Sequence, residues 1–181
     1  MTETVSRHWP TNLVLDEVDL RGIVHDDLPA LLSGAAAGGD TFEVIEAKRV
    51  LADEAALQAH LAASMEALAD ADGRPRPGGL RLEVQIWRGG YDLPATASPA
   101  DYVAWCVLAA TSSIHQQSGA VAVADPRAGC ALVPMPGLPW GRAAMIAARP
   151  GAHLAVPGWL THFVIPVEMA QAVIVAVAIS T

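Results

Sequence analysis

"GAHLAVPGWLTHFVIPVE", residues 151–168, holds two short apolar runs separated by Pro157-Gly158. Apolar runs of this length on either side of a Pro-Gly pair read as strand, tight turn and second strand. The second strand carries His162, set between Thr161 and Phe163 in the most apolar third of the chain. A histidine at a strand start, inside the mouth of a barrel, can ligate a metal through one ring nitrogen. One histidine is not a site, because protein metal centres need about three ligands. The plainer reading is a core histidine packed beside Trp159 and hydrogen-bonded to backbone.

Working outward, the whole C-terminal part shares this texture. From Leu80 onward "LRLEVQIW", "YVAWCVLAA", "GAVAVAD", "CALVP", "RAAMIAA", "AHLAVP", "LTHFVIP" and "QAVIVAVAI" are short strand-like runs punctuated by Gly and Pro. That spacing predicts an antiparallel sandwich or barrel. The N-terminal part differs. "TNLVLD", residues 11–16, reads as an opening strand. Leu20, Ile23, Val24, Leu28, Leu31 and Leu32 recur at helical steps up to the flexible "SGAAAGGD". Leu57, Leu61, Met65 and Leu68 mark a second helix, with Asp53, Glu54 and Glu66 on its surface face and "DGRPRPGG" ending it. Helices first and strands later predict an α+β fold, helices packed on one sheet of a β-sandwich. A single domain over 1–181 is expected, with 1–79 as opening strand plus helices and 80–181 as the β-barrel core.

Composition narrows the function classes. The chain has 181 residues, 52% of them apolar and 17% charged, a globular balance. A net charge of −8, with 11 scattered basic residues, argues against a nucleic-acid groove. Cys106 and Cys130 have no metal-type spacing, and no stretch at the N-terminus has the layout of a signal peptide. A reduced, cytoplasmic setting is the expectation. "AVIVAVAI" is too short to span a bilayer, which takes about 20 residues. There is no G-x-S-x-G elbow and no Gly-rich phosphate loop between a strand and a helix.

The order of motifs resembles the small 2-oxoglutarate/Fe(II)-dependent oxygenases related to prolyl 4-hydroxylases. "HWPTNLVLDEV" is similar to that family's opening strand, and two helices follow. "IWRGGYD" resembles its W…R-G-D strand and "SGAVAVADPRAG" its strand and DPR turn. "PGAHLAVPGWLTHFVIPVE" resembles the segment that carries the last iron-binding histidine. The resemblance implies a double-stranded β-helix, a jelly-roll or cupin-like antiparallel barrel, with His162 at the distal iron-ligand position.

The same resemblance exposes departures. The family's His-x-Asp or His-x-His pair precedes the strand matched by "YVAWCVLAA", and there it falls on Thr96 and Ser98, neither an ordinary iron ligand. A rival register puts His115 in the first ligand position and Gln117 in the second. Asp101 lies near the expected pair and offers a carboxylate, though an Asp after "SPA" more often caps a turn. The family pairs 2-oxoglutarate with a basic residue shortly after the distal histidine. Here "EMAQAVIVAVAIST" has no Lys or Arg, and Gln171 supplies a hydrogen bond without charge.

Other residues complete the candidate site. Arg142 starts a strand and could reach the barrel interior, as a catalytic or co-substrate group, or sit solvated at an edge. Trp87, Trp105 and Trp159, with Trp140, supply large walls for a pocket or belong to the core. Asp125 and Arg127 read as a turn with an ion pair. His25 and His60 read as solvent-facing, and His153 as the start of a strand whose partner faces outward. Three functions follow. The first is an oxygenase-fold protein without iron chemistry or cofactor, a non-catalytic subunit or small-molecule-binding module. The second is an active Fe(II)/2-oxoglutarate hydroxylase of a small hydrophobic metabolite, using His162 with Asp101 or His115 and Arg142 or Gln171. The third is a metal-independent cyclase or isomerase with His162 as acid–base in a Trp-lined pocket. The expected partners are a small hydrophobic molecule, a homologous subunit or a second copy of the chain, without nucleic acid or membrane.

Overall fold

A computed structural model describes residues 11–127 and 141–181. Ten strands and two helices are described: β1 Val14–Glu17, α1 Leu28–Ala36, β2 Phe42–Ile45, α2 Glu54–Asp72, β3 Leu80–Arg88, β4 Leu93–Thr96, β5 Tyr102–Ala110, β6 Val121–Val123, β7 Ala144–Ile146, β8 Ala152–Pro157, β9 His162–Val164 and β10 Ala172–Ser180. Every strand pairing among them is antiparallel. The large sheet runs β1-β8-β5-β10-β3-β2 and the small one β4-β9-β6-β7. From β3 onward the chain changes sheet at every step except β6 to β7. That winding is a double-stranded β-helix, an α+β fold once the helices are added.

The strand β10 divides the interior in two. Val173, Val175 and Val177 face the barrel with Trp87, Trp105 and Val103. Ala172, Ile174, Ala176 and Ala178 face the helix layer with Leu57, Leu61 and Met65. Small alanines on that face let α1 and α2 approach the sheet closely. Helix α2 is set by its ends. The Asp53 carboxylate accepts from Ala56 N at 2.9 Å, and Gly73 takes a left-handed φ of 64° while Arg74 N donates to Ala69 O at 2.8 Å.

One local expectation is corrected and two strands are added. The helical spacing from Leu20 through Val24 is not helix: Gly22 turns the chain at φ 73°, Val24 bridges to Leu51, and α1 starts only at Leu28 with Pro29 in its first turn. Strand β2 went unread, an edge strand of four residues after the glycine-rich segment. Strand β4 went unread because Pro94 and its neighbours look like turn residues. "CALVP", Cys130, Trp140, His8 and Trp9 lie outside the described residues. Among the described residues no helix is long and apolar enough to cross a membrane.

Candidate functional site

His162 opens β9, paired with Thr96 of β4 on one side and Val123 of β6 on the other. It is 5% exposed and lies edge-on to Trp105, ring centroids 4.8 Å apart. Its Nδ1 is 3.0 Å from Leu160 O, so this nitrogen carries the proton and donates. Burial lowers its pKa, only partly offset by that hydrogen bond. The ring is therefore neutral at pH 7, and Nε2 presents a bare lone pair with no hydrogen-bond partner among the described residues.

The loop after β4 is locked to the turn before β9. Ser98 N donates to Gly158 O and Gly158 N donates to Asp101 O, both at 2.8 Å. A Cβ on Gly158 would lie 2.0 Å from Ala100 O, so only glycine allows the approach. This clasp sets Thr96 and Ser98 beside the His162 turn. The Ser98 hydroxyl accepts from Ala100 N at 3.2 Å, and the Thr96 side chain is exposed.

Asp101, His115 and Gln171 are held by other partners, and Arg142 lies along a cavity that reaches the neighbours of His162. The Asp101 carboxylate pairs with Arg74 after α2, at 2.8 Å on the exterior. His115 lies toward the opposite end of β9, where Gly119 N donates to Ile165 O and His115 N donates to Glu168 at 2.7 Å. Its ring is largely exposed beside the Glu168 carboxylate, whose pKa is lowered by the backbone donors of Ile114 and His115. Gln171 is buried at that same far end and accepts a hydrogen bond from Ser118. Arg142 is exposed just before β7 and lines a cavity of about 320 Å³ with Arg127, Val123 and Leu160. The Arg127 guanidinium donates to Asp125 at 2.7 Å and holds that carboxyl well below the usual range. Among the tryptophans, Trp87 and Trp105 are core, whereas Trp159 is 56% exposed on the turn.

Neither histidine read as solvent-facing, His25 or His60, is fully exposed, and His153 is buried as well. His153 is fully buried between β8 and α2, its Nδ1–H donating to Trp105 O and its Nε2 accepting from the Ser64 hydroxyl, both at 2.9 Å. Burial depresses its pKa. His60 packs edge-on against it at 5.4 Å with Nε2 buried and unpaired. His25 is half-buried, its Nε2 3.0 Å from Lys48 O.

Sequence reading also passed over a polar row on the barrel side of β3. Trp87 Nε1 donates to Gln85 at 2.9 Å and Gln85 Nε2 donates to Glu83 at 2.6 Å. The alternation Arg81, Glu83, Gln85 against Leu82, Val84, Ile86 carried that signal. Among the described residues no three His, Cys, Asp or Glu side chains converge as a metal centre requires.

No family model and no curated protein matches the chain. Solved structures do. A Pseudomonas putida prolyl-4-hydroxylase aligns over 94% of this chain and 87% of its own, with TM-score 0.61 and 10% identity. The non-heme alpha-ketoglutarate-dependent epimerase SnoN from nogalamycin biosynthesis aligns over 94% and 79%, with TM-score 0.53 and 15% identity. The same epimerase in complex with Fe3+, alpha-ketoglutarate and nogalamycin RO gives TM-score 0.55 at 15% identity, over 94% and 79%. With its two-sheet winding and these likenesses, the chain has the double-stranded β-helix fold of the 2-oxoglutarate/Fe(II)-dependent oxygenases.

Proposed function

We propose that this protein uses the oxygenase fold without oxygenase chemistry, as a small-molecule-binding module or the non-catalytic subunit of an assembly. The observation that carries the reading is Thr96 opposite His162. At the positions where the resemblance puts an iron ligand set, the donors among the described residues are the His162 imidazole and the neutral hydroxyls of Thr96 and Ser98, and the nearby Asp125 carboxylate is engaged by Arg127. Hydroxyls are weak ligands beside the two histidines and one carboxylate that hold non-haem Fe(II), so this donor set does not fit iron. Nor do the residues fit 2-oxoglutarate in the barrel: β10 presents Val173, Val175 and Val177 where a cation would be needed. Partners of this module are a hydrophobic small molecule, a homologous subunit or a second copy, in a reducing, cytoplasmic setting that suits the buried free thiol of Cys106.

A second reading is favoured by the bare Nε2 of His162. A neutral imidazole in an apolar wall is equipped for proton transfer without metal, as in an isomerase or cyclase.

The test is anaerobic Fe(II) titration by calorimetry, with and without 2-oxoglutarate, on wild type and His162→Ala. The expected result is no saturable Fe(II) binding and no metal-to-ligand charge-transfer band in either protein. Tight binding that depends on His162, with the band, would overturn the proposal and make the protein an oxygenase with substituted ligands.

A further inference from the structure

Apart from the cavity beside Arg142 on the barrel side, a cavity of about 600 Å³ lies on the other side of the large sheet. Leu108 and Ala109 of β5 and Leu28 and Leu32 of α1 form its buried floor, and Leu20 and Val24 wall it. The wall is held in place by backbone. Val18 N donates to Gly151 O at 2.8 Å, His25 N to Val50 O at 2.9 Å, and Val24 bridges to Leu51. Gly151 secures the first of these: a Cβ there would lie 2.7 Å from Val18 O, and its φ is 85°. The cavity is therefore pre-formed, apolar and concave, the features of a small-molecule site.

Its rim has a definite polarity. Asp19, Arg21, His25 and Asp26 border it. The Arg21 guanidinium is spent on Asp19, donating through Nε at 2.9 Å. The His25 Nε2–H donates to Lys48 O, which leaves Nδ1 as an acceptor. The Asp26 carboxylate has no hydrogen bond or ion pair among the described residues. The free polar atoms at the rim are thus acceptors, and the uncompensated charge is negative. Lys48 and Arg49 line the adjoining depression with Asp26 and Asp27; Lys48 is paired with Glu46, so the two carboxylates outweigh the one charge of Arg49 and the partial positive charge of the α1 N-terminus, about half an elementary charge.

We propose that this cavity binds a small amphiphile with an apolar body and a protonated amine head, the body against Leu28 and Leu108 and the ammonium at Asp26 and His25 Nδ1. The site is separate from His162, so the iron titration does not bear on it.

The test uses three probes with one tail: 4-phenylbutylamine, 4-phenylbutanol and 4-phenylbutyrate. Each is titrated into the full chain with methyl NMR detection at pH 7.5. The amine is expected to bind saturably and shift the methyl signals of Leu20, Val24, Leu28 and Leu108. The alcohol is expected to bind about fivefold more weakly, the size of one exposed charge contact. Asp26→Asn should bring the amine down to the alcohol's affinity. Pro29→Trp, an exposed rim position in the first turn of α1, should block both. The proposal is overturned if the carboxylate binds as tightly as the amine, if shifts fall on the barrel valines instead, if Pro29→Trp changes nothing, or if no probe saturates.

Discussion

Thr96 and His162 face each other directly across the β4–β9 ladder. Opposed residues in an antiparallel pair have Cβ atoms about 5 Å apart on one face. A histidine at position 96 would therefore bring a second imidazole to the lone pair of His162. Thr96→His with Ser98→Asp is expected to create micromolar affinity for Zn(II) or Fe(II) where wild type has none. Adding His162→Ala should remove it. Calorimetry on the three proteins reads this, and a gain that survives His162→Ala would mean the pair does not share a face.

Trp105 fills the barrel beside His162 and is 3% exposed. Truncating a buried tryptophan costs about 3–5 kcal/mol. Trp105→Ala should lower stability by that amount in urea unfolding. A loss under about 1 kcal/mol, the scale of an exposed substitution, would contradict a packed interior.

Gly158→Ala is expected to be severe for its size. The new methyl would overlap Ala100 O, so the clasp between the β4–β5 loop and the His162 turn must open. We expect a loss of about 2–4 kcal/mol, with strain and two buried backbone hydrogen bonds contributing. Amide exchange at Ser98 and Gly158 should quicken more than at β10 amides. Uniform quickening would point to global loosening instead.

Stability should fall on mild acidification. His153 and His162 have pKa values lowered from 6.5 by burial. Below pH 6.5 the unfolded chain takes up protons at these positions while the folded chain does not. Unfolding is then favoured by up to about 1.4 kcal/mol per pH unit per histidine. The slope vanishes above the ordinary histidine range, and at low pH once the folded rings protonate. Carboxylates such as Asp70 and Glu168, whose pKa values are lowered, lose their contribution only below about pH 4. Urea midpoints at pH 7.5 and 5.5 measure the histidine window. His153→Gln should flatten it, whatever its own cost in stability.

Cys106 should be inert in the folded protein. Burial pushes its thiol up to about 12, so almost no thiolate exists at pH 8. In a Cys130→Ser background, thiol labelling should be negligible without denaturant and complete in it. Rapid labelling in native buffer would show that the strand opens locally.

Long runs were legible in the sequence because both period and composition agreed. β3, β5, β8, β10 and α2 each have enough apolar residues to state their own identity. β4 was not legible: its ladder carries two recorded pairs, Leu93 with Val164 and Thr96 with His162, so pairing rather than propensity makes it a strand. The burial of His153 was not legible for a related reason. β8 lies between β1 and β5 and is covered on both faces, so alternation gives no outward side. The position of His162 was legible from its turn, while the fates of Asp101, His115 and Gln171 were not. Their partners Arg74, Glu168 and Ser118 are 27, 53 and 53 residues away in sequence.

The strand that reads most plainly, "AVIVAVAIS", is a partition wall. Its valines belong to one compartment and its alanines to the other. Enlarging Ala176 should push α1 and α2 off the sheet and leave the barrel in order. Shrinking Val175 should open room inside the barrel without disturbing the helices. One strand thus offers two separate handles, so the barrel could be hollowed to admit a guest without redesigning the layer that supports it.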